Sequence, residues 1–264
     1  MSATAIGATV TRKSSNPDTA SAAQPSLQEF GGVPPKLAPD GSILRENFTR
    51  ERMDTLRAAL ARHGHRSILT HEEREENRTR FLRKWDGHSD LWIFGYGSLM
   101  WNPAIHVAET QPAKIYGLHR AFCLNLTLGR GTVENPGLML GLDRGGSCRG
   151  MAHRVAAHQV DSETEILWMR EMMGGAYRPV WIDLEFAGTH RSGPALTFAI
   201  NRRHEGYAGK LKAEIIVRRI ATAEGVLGTN RSYLYRTVER LDALGIGDGP
   251  MHHLCNRVRA LAGD

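Results

Sequence analysis

The chain has 264 residues, of which 41% are apolar and 23% are charged, and this suits one globular catalytic domain with an extension. Its net charge of +6 comes from scattered Lys and Arg residues without interleaved aromatics, so nucleic-acid binding is not expected and an anionic small-molecule substrate fits the charge equally well. No stretch approaches the roughly 20 apolar residues that a membrane span needs.

The three cysteines, Cys123, Cys148 and Cys255, form no CxxC pair and no even framework, which indicates free thiols in a reducing compartment. Arg12 and Lys13 are not followed by the apolar core of a secretory signal. We therefore expect a cytoplasmic protein.

The first 89 residues differ in composition from the rest. Residues 1–40 are rich in Ala, Ser, Thr, Pro and Gly and are predicted to be a disordered tail. Residues 41–89 form a charged helical extension: Met53, Leu56 and Leu60 are spaced for a short helix, and Thr70 to Glu73 resembles a capping box that opens another. Because these helices are highly charged, we expect them on the surface of a catalytic domain over residues 90–264.

The catalytic domain opens with an apolar run, Leu91-Trp92-Ile93, followed by Phe94-Gly95-Tyr96-Gly97-Ser98-Leu99. This pattern predicts a buried strand that ends in a glycine turn. Because Gly tolerates positive φ and has no Cβ, the turn could bring backbone N–H groups close to an anion or oxyanion. Most such turns are only tight connections, so the motif alone decides nothing.

Further strands and helices follow in an order typical of an α+β fold. A helix containing Leu167 and Met169 is predicted after Asp161-Ser162. The last third has helical periodicity, and Asp248-Gly249-Pro250 opens its final helix. A closed or strongly curved sheet with flanking helices accounts for this order. The predicted strands lie at about 113–127, 137–143, 148–155, 179–187 and 195–201.

Glu171 is the sharpest candidate for catalysis. It lies at the predicted end of a helix, beside the break at Gly174-Gly175, and should project toward the sheet. A carboxylate desolvated there would have a raised pKa and could act as a base near neutral pH. The alternative is a surface Glu paired with Arg170 or Arg178, and spacing alone does not separate the two.

For the other candidate site residues, a purely structural role is the stronger interpretation. Tyr96 and Tyr177 could donate hydroxyl hydrogen bonds in a pocket, but isolated tyrosines are more often packing residues. Arg130, in Gly129-Arg130-Gly131, could pair with a substrate carboxylate, although that segment reads better as a hairpin connection. Cys123 lies in an apolar run and is expected in the core. The twelve histidines form no spaced ligand set, so no metal site is expected.

Several motifs in order resemble the ChaC family of γ-glutamylcyclotransferases, and the resemblance covers residues 91 to about 262. It is carried by Phe94 to Leu99, His119 to Cys123, Gly129 to Gly131, Pro136 to Met139, Arg170-Glu171-Met172, Gly174 to Trp181, Gly225 to Asn230, and Tyr233-Leu234.

The resemblance implies a γ-glutamylcyclotransferase-like mixed β-barrel, cleavage of glutathione to 5-oxoproline and Cys-Gly, and no cofactor. It also implies that Glu171 is the catalytic glutamate and Tyr177 a pocket tyrosine. The substrate-binding loop would run through Ile93, Phe94, Gly95, Tyr96, Gly97, Ser98 and Leu99. Two alternatives stay open: a cyclotransferase acting on other γ-glutamyl amines or dipeptides, and a non-catalytic regulatory or binding protein.

Overall fold

The structure is a computed structural model that describes residues 35–36, 38, 42–62, 68–186, 192–225 and 227–264. The helices are α1 (Arg50–Arg62), α2 (His71–Leu82), α3 (Val160–Glu171), α4 (Ala213–Thr222), α5 (Asn230–Ala243) and α6 (Gly249–Ala262). The strands are β1 (Leu91–Gly95), β2 (Glu109–Leu126), β3 (Gly137–Val155), β4 (Tyr177–Phe186), β5 (Ser192–Ile200), β6 (Glu224–Gly225) and β7 (Gly228–Thr229). Short 3-10 helices cover Arg45–Asn47, Ser98–Met100 and Ala157–Gln159.

Five strands close into a barrel in the order β1, β3, β2, β4, β5. Neighbouring strands are antiparallel except at the closure, where β1 and β5 run parallel with Ile93 opposite Leu196. The predicted mixed barrel with flanking helices is therefore confirmed. Closure leaves none of these five strands as an open sheet edge.

Strand β3 corrects the sequence prediction of two separate strands at 137–143 and 148–155. The chain runs through as one strand paired with β2, and the register shifts between Tyr116 and Leu118. Gly145 and Gly146 lie opposite this irregularity and have φ of +95° and +69°. The left-handed conformation of these two glycines therefore kinks β3 but does not end its pairing with β2.

Two predicted helix starts are found in the structure, and a third is displaced, since α3 begins at Val160, before Asp161-Ser162. The Thr70 hydroxyl accepts from the Glu73 N–H at 3.1 Å while the Glu73 carboxylate accepts from the Thr70 N–H at 2.7 Å, which is a complete capping box. Asp248 caps α6 by accepting from the Met251 N–H at 3.1 Å. Among the described residues, no helix is long and apolar enough to cross a membrane.

Strand β1 is buried on both faces. Phe94 is fully buried in the larger core, which also takes side chains from α4, α5 and α6. Ile93 is fully buried in a second core with Leu167 and Trp168 of α3. Because successive strand residues face opposite ways, β1 links the two cores.

Helix α2 packs on α3 and on the barrel. The Phe81 ring stacks on Trp181 at 4.9 Å between centroids, and Arg78 donates to Asp161 at 2.7 Å and to Thr164 at 3.1 Å. The tail predicted over residues 1–40 lies outside the described residues, apart from positions 35, 36 and 38. Helices α1 and α2 lie within the extension predicted over 41–89.

Candidate active site

A cavity of about 460 Å³ lies between the turn after β1, the end of α3, and helices α1 and α5. This volume is within the usual range for small-molecule sites. The predicted site residues that line it are Tyr96, Gly97, Ser98, Leu99, Glu171 and Tyr177. Tyr96 and Glu171, which are 75 positions apart in the sequence, thus line the same cavity.

Glu171 is the last residue of α3, and its side chain is 15% exposed. Its Oε1 accepts from Nε of Arg170 at 2.9 Å. Arg170 also donates to Oγ of Ser98 at 2.8 Å, so one guanidinium joins the carboxylate to the turn after β1. Both sequence interpretations of Glu171 therefore hold in part: it is paired with Arg170, and it is desolvated inside the cavity.

Burial raises the pKa of the Glu171 carboxyl above its ordinary value, and the charge and hydrogen bond of Arg170 oppose that rise. Desolvation is the larger effect, because it penalises the ionised form of a carboxyl group held away from water. A carboxylate with a raised pKa can both take and return a proton near neutral pH.

The turn after β1 folds back on itself more tightly than its sequence indicated. A Cβ on Gly95 would lie 2.9 Å from the Leu99 carbonyl carbon and from the Met100 nitrogen, so the close return of the chain requires glycine there. Gly97 has φ of −129°, and Gly95 is also outside the positive-φ region. The expectation that these glycines serve for positive φ is therefore wrong, and at Gly95 it is the missing Cβ that allows the close return of the chain.

The backbone of this turn presents donors. Ser98 opens a 3-10 helix in which the Met100 N–H donates to Gly97 O at 2.9 Å. The first N–H groups of any helix have no acceptor within it. No acceptor for the N–H groups of Ser98 and Leu99 is found among the described residues.

Two buried side chains from the barrel hold the carbonyls of the turn. Nε of Arg120 donates to Tyr96 O at 2.6 Å, and Nε2 of His153 lies 2.8 Å from Leu99 O. Since a carbonyl only accepts, Nε2 carries the proton, and Nδ1 accepts from the Thr110 hydroxyl at 3.0 Å. Burial lowers the pKa of His153, which favours this neutral imidazole.

Three tyrosines surround the cavity near Glu171. The Tyr177 hydroxyl donates to Leu140 O at 2.6 Å. Burial raises the pKa values of Tyr96, Tyr177 and Tyr233, and the nearby Glu171 charge raises them further. All three hydroxyls are therefore neutral at physiological pH, and the proton of Tyr177 is committed to Leu140 O.

Four predicted substrate-binding residues do not line the cavity. Ile93 and Phe94 are fully buried in the two cores, because β1 is covered on both faces, and Gly95 faces the returning backbone. Arg130 points to the start of α5, where it donates to Thr229 O at 3.0 Å and to Oγ of Ser232 at 2.6 Å. Of the predicted binding loop, Tyr96 through Leu99 thus line the cavity, and Arg130 instead contacts the start of α5.

The structure adds residues that the sequence analysis did not select for the site. Tyr233 lies on α5 and lines the cavity, and a Cβ on Gly97 would lie 3.6 Å from its hydroxyl. Arg170 had been considered only as a neutralising partner. The sequence signal that pointed to Arg120 was its position inside His119 to Cys123, one of the motifs that resemble the ChaC family. Cys123 is buried as predicted, and burial raises its pKa to about 12.

Comparison with known proteins gives a family match over most of the barrel and its C-terminal helices. The model of a family described as ChaC-like protein matches residues 91–261. A glutathione-specific γ-glutamylcyclotransferase of Escherichia coli (strain K12) is 43% identical over 171 residues, which cover 65% of this chain and 74% of that protein. Glutathione-specific γ-glutamylcyclotransferase 1 of Mus musculus is 31% identical over 158 residues, covering 59% of this chain and 71% of that protein.

Among solved structures, a crystal structure of a glutathione-specific γ-glutamylcyclotransferase from yeast aligns with a TM-score of 0.58. The alignment covers 66% of this chain and all of the yeast chain, at 20% sequence identity. At this identity the likeness supports the fold alone.

Proposed function

Because this chain belongs to the family of ChaC-like proteins, we propose that it is a γ-glutamylcyclotransferase that cleaves glutathione to 5-oxoproline and Cys-Gly. The relatives from E. coli and mouse are named for this reaction. The observation that best supports a mechanism is the largely buried carboxylate of Glu171, which has a raised pKa and lines a cavity of substrate size.

The reaction is an intramolecular aminolysis. The α-amine of the γ-glutamyl group attacks its own γ-carbonyl carbon, a C–N bond closes a five-membered lactam, and the bond to the cysteine nitrogen breaks. Glu171 accepts the proton that the attacking nitrogen loses and delivers it to the departing nitrogen. The products together contain all the atoms of glutathione, so no water is consumed and the substrate supplies the nucleophile.

The turn after β1 is proposed to stabilise the oxyanion. The N–H groups of Ser98 and Leu99 have no acceptor among the described residues, and their turn is fixed by Arg120 and His153. Fixed donors of this kind lower the barrier because they need no reorganisation, and loss of one typically costs about 3 kcal/mol.

The tyrosine hydroxyls are proposed to hold the substrate. Tyr96, Tyr177 and Tyr233 line the cavity and stay protonated. The hydroxyl proton of Tyr177 is already donated to Leu140 O, so Tyr96 and Tyr233 are the donors that suit the α-carboxylate of the γ-glutamyl group. Together the three rings would fold the γ-glutamyl arm so that the amine reaches the carbonyl. Arg170 would fix Oε1 of Glu171 and leave Oε2 for the substrate amine.

We also propose that the protein works in the cytoplasm, where glutathione is kept reduced. The free, buried thiols of Cys123, Cys148 and Cys255 support this location.

The test is mass spectrometry of glutathione incubated with the purified protein in the presence of EDTA. Equal amounts of 5-oxoproline and Cys-Gly are expected. Release of free glutamate would instead indicate hydrolysis by water, and the absence of both products would reject glutathione as the substrate. A panel of other γ-glutamyl amines and dipeptides, assayed in parallel, measures how selective the protein is for glutathione.

A further inference from the structure

The cavity that contains Glu171 has an apolar wall, most of which comes from α1 and the segment before it. These elements precede residue 91, where the match to the family model begins. Three of the side chains are spaced by three and four residues along α1 and so lie on one face of that helix. Helix α1 therefore lines the cavity as well as covering the domain. The members of the apolar wall are Ile43, Phe48, Met53, Leu56, Leu60 and, from the turn between β6 and β7, Leu227.

The segment before α1 is fixed to the catalytic domain. Arg45 forms an ion pair with Glu163 of α3, whose side chain is 2% exposed, and Nη2 of Arg45 lies 3.0 Å from Oε1 of Glu163. The ring of Phe48 lies 5.9 Å from the guanidinium of Arg170. The apolar wall is thus held beside the arginine that positions Glu171.

The polar groups of the cavity are concentrated where the reaction is proposed to occur. Arg170 donates to both Glu171 and Ser98. Among the described lining residues of the extension, the polar side chains are Asn47 and Arg52. The Asn47 amide is committed to backbone carbonyls of its own segment, and Arg52 takes part in an interaction of its own. The rest of this side of the cavity offers a ligand apolar contact.

Two side chains of the apolar wall are left partly in contact with solvent. Ile43 is 42% exposed and Leu227 is 47% exposed. Exposed apolar surface that is continuous with a cavity is a common feature of ligand-binding grooves. An apolar group of a bound ligand would remove this surface from water.

Reduced glutathione makes little use of such a wall. Its γ-glutamyl group must lie at Glu171 and the turn after β1, since the reaction is proposed to occur there. The Cys-Gly half that remains ends in a carboxylate, which water or a cation stabilises and apolar side chains do not. The sulfur is the position in this half where an apolar group can be added without altering the peptide.

We propose that the protein also cleaves glutathione S-conjugates whose sulfur carries an alkyl or aryl group, and that the apolar wall binds this group. The inference rests on the proposed γ-glutamylcyclotransferase function. The α-amine closes the lactam, the bond to the cysteine nitrogen breaks, and Glu171 transfers the proton from the first nitrogen to the second, while the bond between sulfur and its substituent stays intact. The products, 5-oxoproline and S-substituted Cys-Gly, together contain all the atoms of the conjugate.

The test measures KM and kcat for glutathione and for S-methyl-, S-butyl- and S-hexylglutathione from the release of 5-oxoproline. Burial of one CH₂ group at an apolar site strengthens binding about fourfold. KM should therefore fall along the series of conjugates and be at least about tenfold lower for the S-hexyl than for the S-methyl compound, with little change in kcat.

Two variants test whether the apolar wall produces this preference. Leu56→Gln and Ile43→Gln each place an amide in the wall, and the second changes a side chain that is already exposed. Each should raise KM for S-hexylglutathione about fourfold or more, and raise KM for glutathione by a smaller factor. Leu261→Gln, at a 56% exposed position of α6 that does not line the cavity, is the matched control and should leave both KM values unchanged.

The inference is overturned if KM for S-hexylglutathione is no lower than for S-methylglutathione, or if the protein cleaves glutathione but none of the conjugates. Equal rises in KM for glutathione and S-hexylglutathione in both wall variants would also overturn it, because the wall would then make no specific contact with the S-substituent. Failure of the proposed function gives a different result, since neither glutathione nor any conjugate would then release 5-oxoproline.

Discussion

Replacing Glu171 by Gln tests the proposed chemistry at its centre. Gln has nearly the same shape and can still accept from Nε of Arg170, which now lies 2.9 Å from Oε1, but it cannot take a proton. General acid–base catalysis typically contributes 10²- to 10⁴-fold. We expect kcat to fall at least about 100-fold, which corresponds to about 2.7 kcal/mol of transition-state stabilisation.

The same substitution should leave the fold intact. Burial disfavours the ionised form of Glu171, so a neutral amide removes that penalty, while Arg170 loses part of its partner. Because these effects oppose each other, we expect the free energy of unfolding to change by less than about 1 kcal/mol, or about 2–4 °C in Tm for a domain of this size.

The pH dependence provides a second readout. Since the pKa of Glu171 is raised above 4.5, wild-type kcat/KM should rise with pH through that higher value as the carboxyl group ionises. This acidic limb should be missing from the residual activity of Glu171→Gln.

The assay is the initial rate of 5-oxoproline release at saturating glutathione, with a thermal melt of each protein. Glu165→Gln is the matched control, because Glu165 lies on the same helix and does not line the cavity. Removal of a general base should leave about a hundredth of the wild-type kcat or less. If Glu171→Gln keeps more than about a tenth, the role assigned to Glu171 is wrong.

Three further predictions follow from the cavity and its supports. Gly97→Val should lower kcat/KM by about 100-fold, because its side chain would enter the cavity toward the Tyr233 hydroxyl and displace the substrate; wild-type rates would show that the turn does not contact substrate. His153→Gln should make the fall in Tm below pH 6.5 less steep. Burial lowers the pKa of the His153 imidazole in the folded protein, so the stability that it contributes is present above pH 6.5 and is lost as pH falls through the lower folded-state pKa. Parallel curves of Tm against pH for the two proteins would contradict this. N-acetyl-glutathione should give no 5-oxoproline or Cys-Gly at any concentration, because its α-nitrogen is no longer a nucleophile, and its cleavage would point to attack by water or by an enzyme group.

Much of the local structure could be predicted from the sequence. The apolar run from Leu91 predicted a buried strand, the Thr70 to Glu73 pattern predicted a capped helix, and the position of Glu171 before Gly174-Gly175 predicted a carboxylate at a helix end. These features depend on residues only a few positions apart, so their spacing and their turn-forming residue types can be recognised in the sequence itself. The ordered motifs also identified the barrel and the family. They predicted one site from Ile93 through Leu99, Arg130, Glu171 and Tyr177, and of these Tyr96 through Leu99, Glu171 and Tyr177 line the cavity.

Only the tertiary structure decided which of these residues face the cavity. Ile93 and Phe94 are turned into two cores because helices cover both faces of β1, and Arg130 is taken up by α5. The Arg170 to Ser98 hydrogen bond joins residues 72 positions apart, and Arg45, in the 3-10 helix before α1, pairs with Glu163 of α3, 118 positions away. Such contacts exist only after the barrel has closed and its helices have packed, so no local pattern in the chain specifies them.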